Sequence, residues 1–249
     1  AKGLKNLDFL IVEVGGTVGD IESLPFLESL RQLRNQMKQN TVFIHVTLIP
    51  YLSAADEQKT KPTQHSVKEL REIGIQPDIL ICRCERAISQ EDKEKIALFC
   101  NINSKNIIQA IDAESIYELP LLFYKEKLDL RVLETLKINS KKIPDLNKWK
   151  NIIEKRKLFS ETIEIGIIGK YTKLKDAYKS LIEAILHSSI KNKVKVKISW
   201  VDSENKKNMS KSLSGLSGIL VPGGFGKRGV DGKIYAIKYA RENNIPFLG

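Results

Sequence analysis

DFLIVEVGGTVGDIESLPFLESLRQLRNQM, residues 8–37, sets the pattern for the whole chain. Residues 8–14 form an apolar run bounded by charge and glycine, which reads as a buried strand. GGTVGDIES follows as a turn-rich loop. Residues 24–37 then read as a helix, with Pro25 in the first turn and Leu27, Leu30, Leu33 and Met37 near helical spacing. The alternation continues with a strand at 41–49 and a helix at 63–73. In that helix Val67, Leu70 and Ile73 share a face and Gly74 supplies the stop. A strand at 78–82 leads to Ser89 and Asp92, a capping box for the helix carrying Lys95, Ile96 and Phe99. A strand at 106–111 and helix from Ser115 complete the series. Strands alternating with helices imply a mostly parallel sheet covered on both faces.

The pattern breaks at 139–160. There Lys141, Lys142, Lys148, Lys150, Lys155, Arg156 and Lys157 face Asp145 and Glu154, so the segment reads as a basic linker with some helix near Trp149. A second series follows: strand 162–168, helix 175–188, strand 194–201, a short strand 219–221 ending at PGGFG, helix 234–243 and a strand over 245–248. That last strand meets Gly249 at its carboxyl end, where the functional loops of open α/β sheets lie. The sequence is therefore expected to be a fragment.

The chain has 249 residues, 42% hydrophobic and 29% charged, which is a globular composition and long enough for two domains. No apolar run approaches the ~20 residues of a membrane span, and the opening residues lack a signal core. Three cysteines do not make a disulfide scaffold and point to a reducing compartment, hence the cytoplasm. The net charge of +11 favours polyanionic partners. The lysines are scattered without interleaved aromatics, so phosphorylated small molecules are expected rather than nucleic acid.

Four loops carry candidate chemistry. Glu13 interrupts an apolar run, so it needs a cation or donors: Mg²⁺ with a nucleotide phosphate, or a structural salt bridge. In GGTVGDIES the glycines let a ligand approach closely or simply turn the chain, and no G-K-[ST] closes a Walker A loop. Asp20 and Glu22 there serve either as helix caps or as acceptors for ribose hydroxyls or a base amine. Lys59 and Lys61 flank Thr60, with Pro62, Thr63 and Gln64 at a helix start. That grouping suits a triphosphate, or is a solvated lysine loop. PGGFG at 222–226 directly follows a strand. Gly223 and Gly224 can aim their amides at one point as an oxyanion hole does, or make a tight turn. Cys82 and Cys84 form C-x-C without a second pair or a histidine, so buried thiols are expected rather than zinc. His187 is expected at a helix end.

Together, EVGGTVGDIESLPFLESLRQ, HVTLIPYLSAADEQKTKPTQHSVKELREIGIQPDILICR and GILVPGGFGKRGVDGK closely resemble the CTP synthase family. The likeness covers nearly the whole chain and is weakest in the linker and at 205–214. It implies a P-loop-related, parallel-sheet synthetase domain at 1–138, lacking its P-loop part, and a linker at 139–160. A partial, flavodoxin-like class I glutamine amidotransferase domain follows at 161–249. The implied reaction is phosphorylation of the 4-oxygen of UTP by ATP, then displacement of that phosphate by ammonia from glutamine to give CTP.

Carried over by residue, the resemblance implies that Glu13 binds Mg²⁺ and that Asp20, Ile21 and Glu22 recognise CTP as feedback inhibitor. Lys59, Thr60, Lys61, Pro62, Thr63, Gln64 and Lys95 would hold the pyrimidine triphosphate. Ile111, Asp112 and Ala113 would meet ATP, with Arg83 beside them, and Gly224 would contact glutamine. It further implies GTP as activator, a homotetramer with the pyrimidine site between subunits, and no membrane partner. The family's catalytic lysine and second metal-binding aspartate are expected before Ala1. Its nucleophilic cysteine is expected just after Gly249, on a strand-to-helix elbow. The chain alone is therefore expected to be inactive. The alternative is a regulatory module that senses CTP without catalysis.

Overall fold

Parallel strand pairing organises both halves of the chain in the computed structural model, which describes residues 7–140, 142–170, 175–224 and 226–249. These divide into two units, 1–146 and 147–249. Lys141 of the basic segment and Phe225 of PGGFG lie outside the described residues.

In the first unit, a single 3-10 turn at Ile21–Ser23 runs into α1 (Leu24–Met37). The strand β1 (Ile44–Ile49) follows, then a small hairpin of β2 (Tyr51–Leu52) and β3 (Glu57–Gln58), then α2 (Lys61–Glu72). The unit continues through β4 (Ile79–Cys84), α3 (Gln90–Cys100), β5 (Ile107–Ile111), α4 (Leu119–Lys125) and α5 (Leu128–Thr135). The sheet order is β1-β4-β5, all parallel, with Ile44 opposite Ile79 and Leu80 opposite Ile107. Its core gathers Ile49, Val67, Leu80, Cys82, Ile96 and Cys100 between the sheet and α2 and α3. α2 starts at Lys61 because Pro62 suits a first turn, and it closes where Gly74 takes a φ of +89°. Ser89 caps α3, its hydroxyl accepting from the Asp92 amide at 3.0 Å as the capping box requires.

Residues 8–14 do not form the expected strand. They carry no regular structure, and Ile11 and Val12 are 93% and 64% exposed. Apolar patterning gives a strand its faces, but only a neighbouring ladder makes it a strand. None of the described strands pairs with this run. The loop after it is anchored instead by Val18, which packs with Leu27, Leu70 and Ile75. Leu33 and Met37, read as near helical spacing with Leu27, are 39% and 44% exposed, and burial concentrates at Leu27.

The second unit opens with α6 (Asn147–Leu158), so the basic segment is largely helical. It continues with β6 (Thr162–Gly169), α7 (Lys179–Asn192), β7 (Lys195–Asp202), α8 (Met209–Leu213), β8 (Gly218–Leu220), α9 (Val230–Glu242) and β9 (Phe247–Leu248). The sheet is parallel throughout, in the order β7-β6-β8-β9. By chain position that is 2-1-3-4, the flavodoxin-like arrangement, whose switch point falls between β6 and β8. α7 runs past His187 to Asn192 and stops where Lys193 turns left-handed at φ 58°. His187 therefore lies within the helix rather than at the end expected for it. α8 anchors Met209 and Leu213, 1% and 0% exposed, in a stretch whose sequence showed no element.

Candidate functional site

Every strand of a parallel sheet ends on the same edge, so the loops beyond the carboxyl ends converge there. In the first unit those loops follow Ile49, Cys84 and Ile111. The chain leaves β1 through Pro50, makes the β2–β3 hairpin and returns with the Lys59 amide donating to Pro50 O at 2.9 Å. That return sets Thr60 as the cap of α2 and places Lys61, Pro62, Thr63 and Gln64 in its first turn. The first amides of a helix have no intrahelical acceptors and favour anions.

The side chains of this segment divide by role. Lys61 is exposed and makes no hydrogen bond or ion pair among the described residues, while the Lys59 ammonium pairs with Glu57. Gln64 Nε2 donates to Thr60 Oγ1 at 3.0 Å. Thr63 points the other way: it is fully buried, with its hydroxyl 3.0 Å from Thr47 Oγ1 and 3.1 Å from Leu48 O. Its hydroxyl is thus a core group, and only its main-chain amide faces the helix start.

Lys95 stands exposed on α3, on the rim of an open cleft of about 400 Å³. Tyr51, Asp56, Glu57, Gln58 and Arg86 line the same cleft, so the structure brings Lys95 to the hairpin that carries Lys59. Arg86, just past β4, drew no attention in the sequence, although its position beyond a strand end was the available signal. At the end of β5, Ile111 closes the ladder opposite Cys84, and the Asp112 amide donates to Cys84 O at 2.9 Å. The Asp112 carboxylate lies 3.9 Å from Arg83, and both it and Ala113 are exposed. A second opening of about 420 Å³ beside Arg34 and Asp78 lies at the opposite, amino edge of β4. There Asp78 accepts from Arg34 at 2.5 and 2.8 Å and from the Phe43 amide at 2.7 Å, which is a structural clamp.

The N-terminal candidates lie on the segment before α1. Asp20 holds the N-cap position of the following turn, but its side chain makes no capping hydrogen bond. Its carboxylate folds back to accept from the Thr17 amide at 3.2 Å, with Gly16 and Gly19 at φ +92° and +102° making the turn. Ile21 is 84% exposed and Glu22 is exposed. Glu13 is exposed on the irregular run, with no hydrogen bond or ion pair among the described residues. No such bond joins it to Lys95 or Asp112. Among the described residues no group of three or more His, Cys, Asp or Glu could hold a metal. A nucleotide-borne Mg²⁺ asks for less, one or two carboxylates beside the phosphates, and an uncommitted Glu13 carboxylate fits that donor set.

Cys82, Cys84 and Cys100 are free and buried, as expected of thiols in a core. Burial pushes each of them up to about 11, so none supplies a thiolate at neutral pH.

In the second unit Gly169 ends β6 and Val221 follows β8, so Lys170 and the turn Pro222–Gly224 flank the switch point. A Cβ added to Gly224 would stand 3.4 Å from Lys233 Nζ and 3.9 Å from Lys170 Cε. Lys233 reaches from α9 to donate to Pro222 O at 3.0 Å, fixing the turn from beneath. Neither lysine was singled out by the sequence reading.

The fold and this turn define the class: a mixed α/β chain whose second unit is a partial class I glutamine amidotransferase fold. Residues 173–249 match the family described as glutamine amidotransferase class-I, and residues 1–138 match that described as CTP synthase N-terminus. The chain belongs to the CTP synthase family. It is 60% identical over 245 residues to a CTP synthase of Pelagibacter ubique, covering 97% of this chain and 46% of that protein. It is 54% identical over 249 residues to a CTP synthase of Hydrogenobaculum, covering 100% of this chain and 46% of that protein. The chain thus spans about half the length of the curated relatives it matches. Among solved structures, the glutaminase domain of Trypanosoma brucei CTPS with bound acivicin is 44% identical, covers 34% of each chain and has a TM-score of 0.32. Among the described residues no helix is long and apolar enough to cross a membrane.

Proposed function

We propose that these residues are part of an enzyme that aminates UTP to CTP, using ATP and ammonia drawn from glutamine. The observation that carries the reading is the placement of Lys59, Lys61 and the first amides of α2 on the carboxyl edge of a parallel sheet, with Lys95 on the adjoining cleft. Two ammonium groups and a helix start suit a triphosphate by charge and by hydrogen bonding together. The names of the relatives agree with that chemistry.

In this reading Lys59, Thr60, Lys61, Gln64 and Lys95 bind and orient the pyrimidine nucleotide. Pro62 fixes the entry to α2, and Thr63 contributes its amide. Ile111, Asp112 and Ala113 meet ATP beside Arg83. Asp20, Ile21 and Glu22 recognise CTP as inhibitor through whatever valence the Asp20 turn leaves open. Glu13 would hold Mg²⁺, which when bound neutralises phosphate charge during phosphoryl transfer. The Gly224 amide orients glutamine at the switch point of the second sheet. GTP as activator, a homotetramer and a cytoplasmic setting belong to the same proposal.

Lys59→Ala in the full-length enzyme tests it. A charged hydrogen bond to phosphate contributes about 1.5–3 kcal/mol, so the KM for UTP should rise roughly tenfold to a hundredfold. An unchanged KM would overturn the assignment of this loop.

A further inference from the structure

The β2–β3 hairpin is a weak element on its own. It has two residue pairs, Tyr51 with Gln58 and Leu52 with Glu57, and a short isolated hairpin is marginal in water. Yet the proposed polyphosphate segment begins at Lys59, directly on its return strand. The position of Lys59 therefore depends on what holds the hairpin.

Arg86 holds it at three points. Its guanidinium carbon lies 3.7 Å from the centre of the Tyr51 ring, at the start of the hairpin. Its Nη1 is 3.6 Å from Asp56 Oδ1, near the tip, and the Tyr51 hydroxyl bonds to the same carboxylate. Its carbonyl accepts from Gln58 Nε2 at 2.9 Å, on the return. Arg86 itself hangs two residues past β4, whose Leu80 and Cys82 are wholly buried. The anchor is thus the core strand, and the tethered object is the loop before α2. A flat guanidinium lies on the ring while its edge pairs with the carboxylate, a combination that a lysine ammonium reproduces less well.

We propose that Arg86 is a positioning residue: it clamps the 51–58 hairpin to the end of β4 so that Lys59 and the start of α2 present one fixed anion site. The inference rests on the proposed nucleotide role of residues 59–64. Arg86 acts through the hairpin, since one face of its guanidinium is taken by the Tyr51 ring and its edge by the ion pair with Asp56.

Arg86→Ala and Arg86→Lys test it by two readouts. In the full-length enzyme, hydrogen exchange at the amides of residues 54–59 should quicken about fivefold in Arg86→Ala, the sum of an exposed stack and an exposed ion pair. Exchange in β4 should stay unchanged, and Arg86→Lys should fall between the two. In the full-length enzyme the KM for UTP should rise by a similar factor, with kcat at saturation retained. Unchanged loop exchange overturns the clamp without reference to any nucleotide. A raised KM with unchanged exchange also overturns it, making Arg86 a direct ligand. Quicker exchange with an unchanged KM overturns the positioning role. If Lys59→Ala is then silent as well, the failure lies in the nucleotide reading of the loop.

Discussion

Replacing Thr63 with valine should loosen the first unit while leaving its shape intact. The side chains are nearly isosteric, so the change removes one hydroxyl and little else. That hydroxyl donates to Thr47 Oγ1 at 3.0 Å, with Leu48 O at 3.1 Å, and Thr47 in turn donates to Cys82 Sγ at 3.5 Å. The chain of polar groups stitches α2 to β1 and β4 inside the core. Losing its first member forfeits a net hydrogen bond and leaves the buried Thr47 hydroxyl poorly satisfied, about 2 kcal/mol together. The slowest amides of the unit, such as those of Val67 and Leu80, would then exchange roughly thirtyfold faster under native conditions. Thr47→Val should also destabilise, but the double variant should cost less than the two changes added, because both polar partners leave together. Exchange quickened by less than about threefold in Thr63→Val would refute the account, since it is smaller than one net hydrogen bond. Strict additivity of the pair would refute the coupling.

Acid should weaken the first unit through His45. Its imidazole is partly buried on β1 with Nε2 2.8 Å from Ser66 Oγ, and burial lowers its pKa below the ordinary 6.5. Below 6.5 the unfolded chain takes up the proton first, so stability is flat above that value and falls as pH drops beneath it. Urea midpoints across this range should show the slope, and His45→Gln should flatten it. The three thiols, held near 11 by burial, should resist a thiol-specific reagent in the native chain and react once urea unfolds it. Reaction of a cysteine under native conditions would contradict the packing around β4.

Local rules wrote much of this fold into the sequence. Leu27 and Leu30 gave α1 its period, Ser89 and Asp92 marked the start of α3, and Gly74 marked the end of α2. What the sequence could not show was partnership. Residues 8–14 have the apolarity of a buried strand, but a ladder needs a neighbour that patterning does not name. His187 was misplaced because α7 ends on a lysine in the left-handed region, a stop with no glycine to announce it. In the candidate site, Lys59 and Lys61 were visible as charge beside a helix start. Thr63 was not visible as a core group, because the side a residue faces depends on the turn's phase. Arg86 and Lys233 were silent for a similar reason. Each acts on a loop distant in sequence, Arg86 on the hairpin and Lys233 on Pro222 O.

The margin of the first sheet governs how this stretch of chain would keep in a tube. Among the described residues β1 is an outer strand, and Ile44, Val46 and Leu48, on one face of it, are 42%, 56% and 55% exposed. An open margin lined with branched aliphatics templates the addition of another molecule's strand. Turbidity on storage, growing with concentration, would then report on that margin rather than on any weakness of the interior.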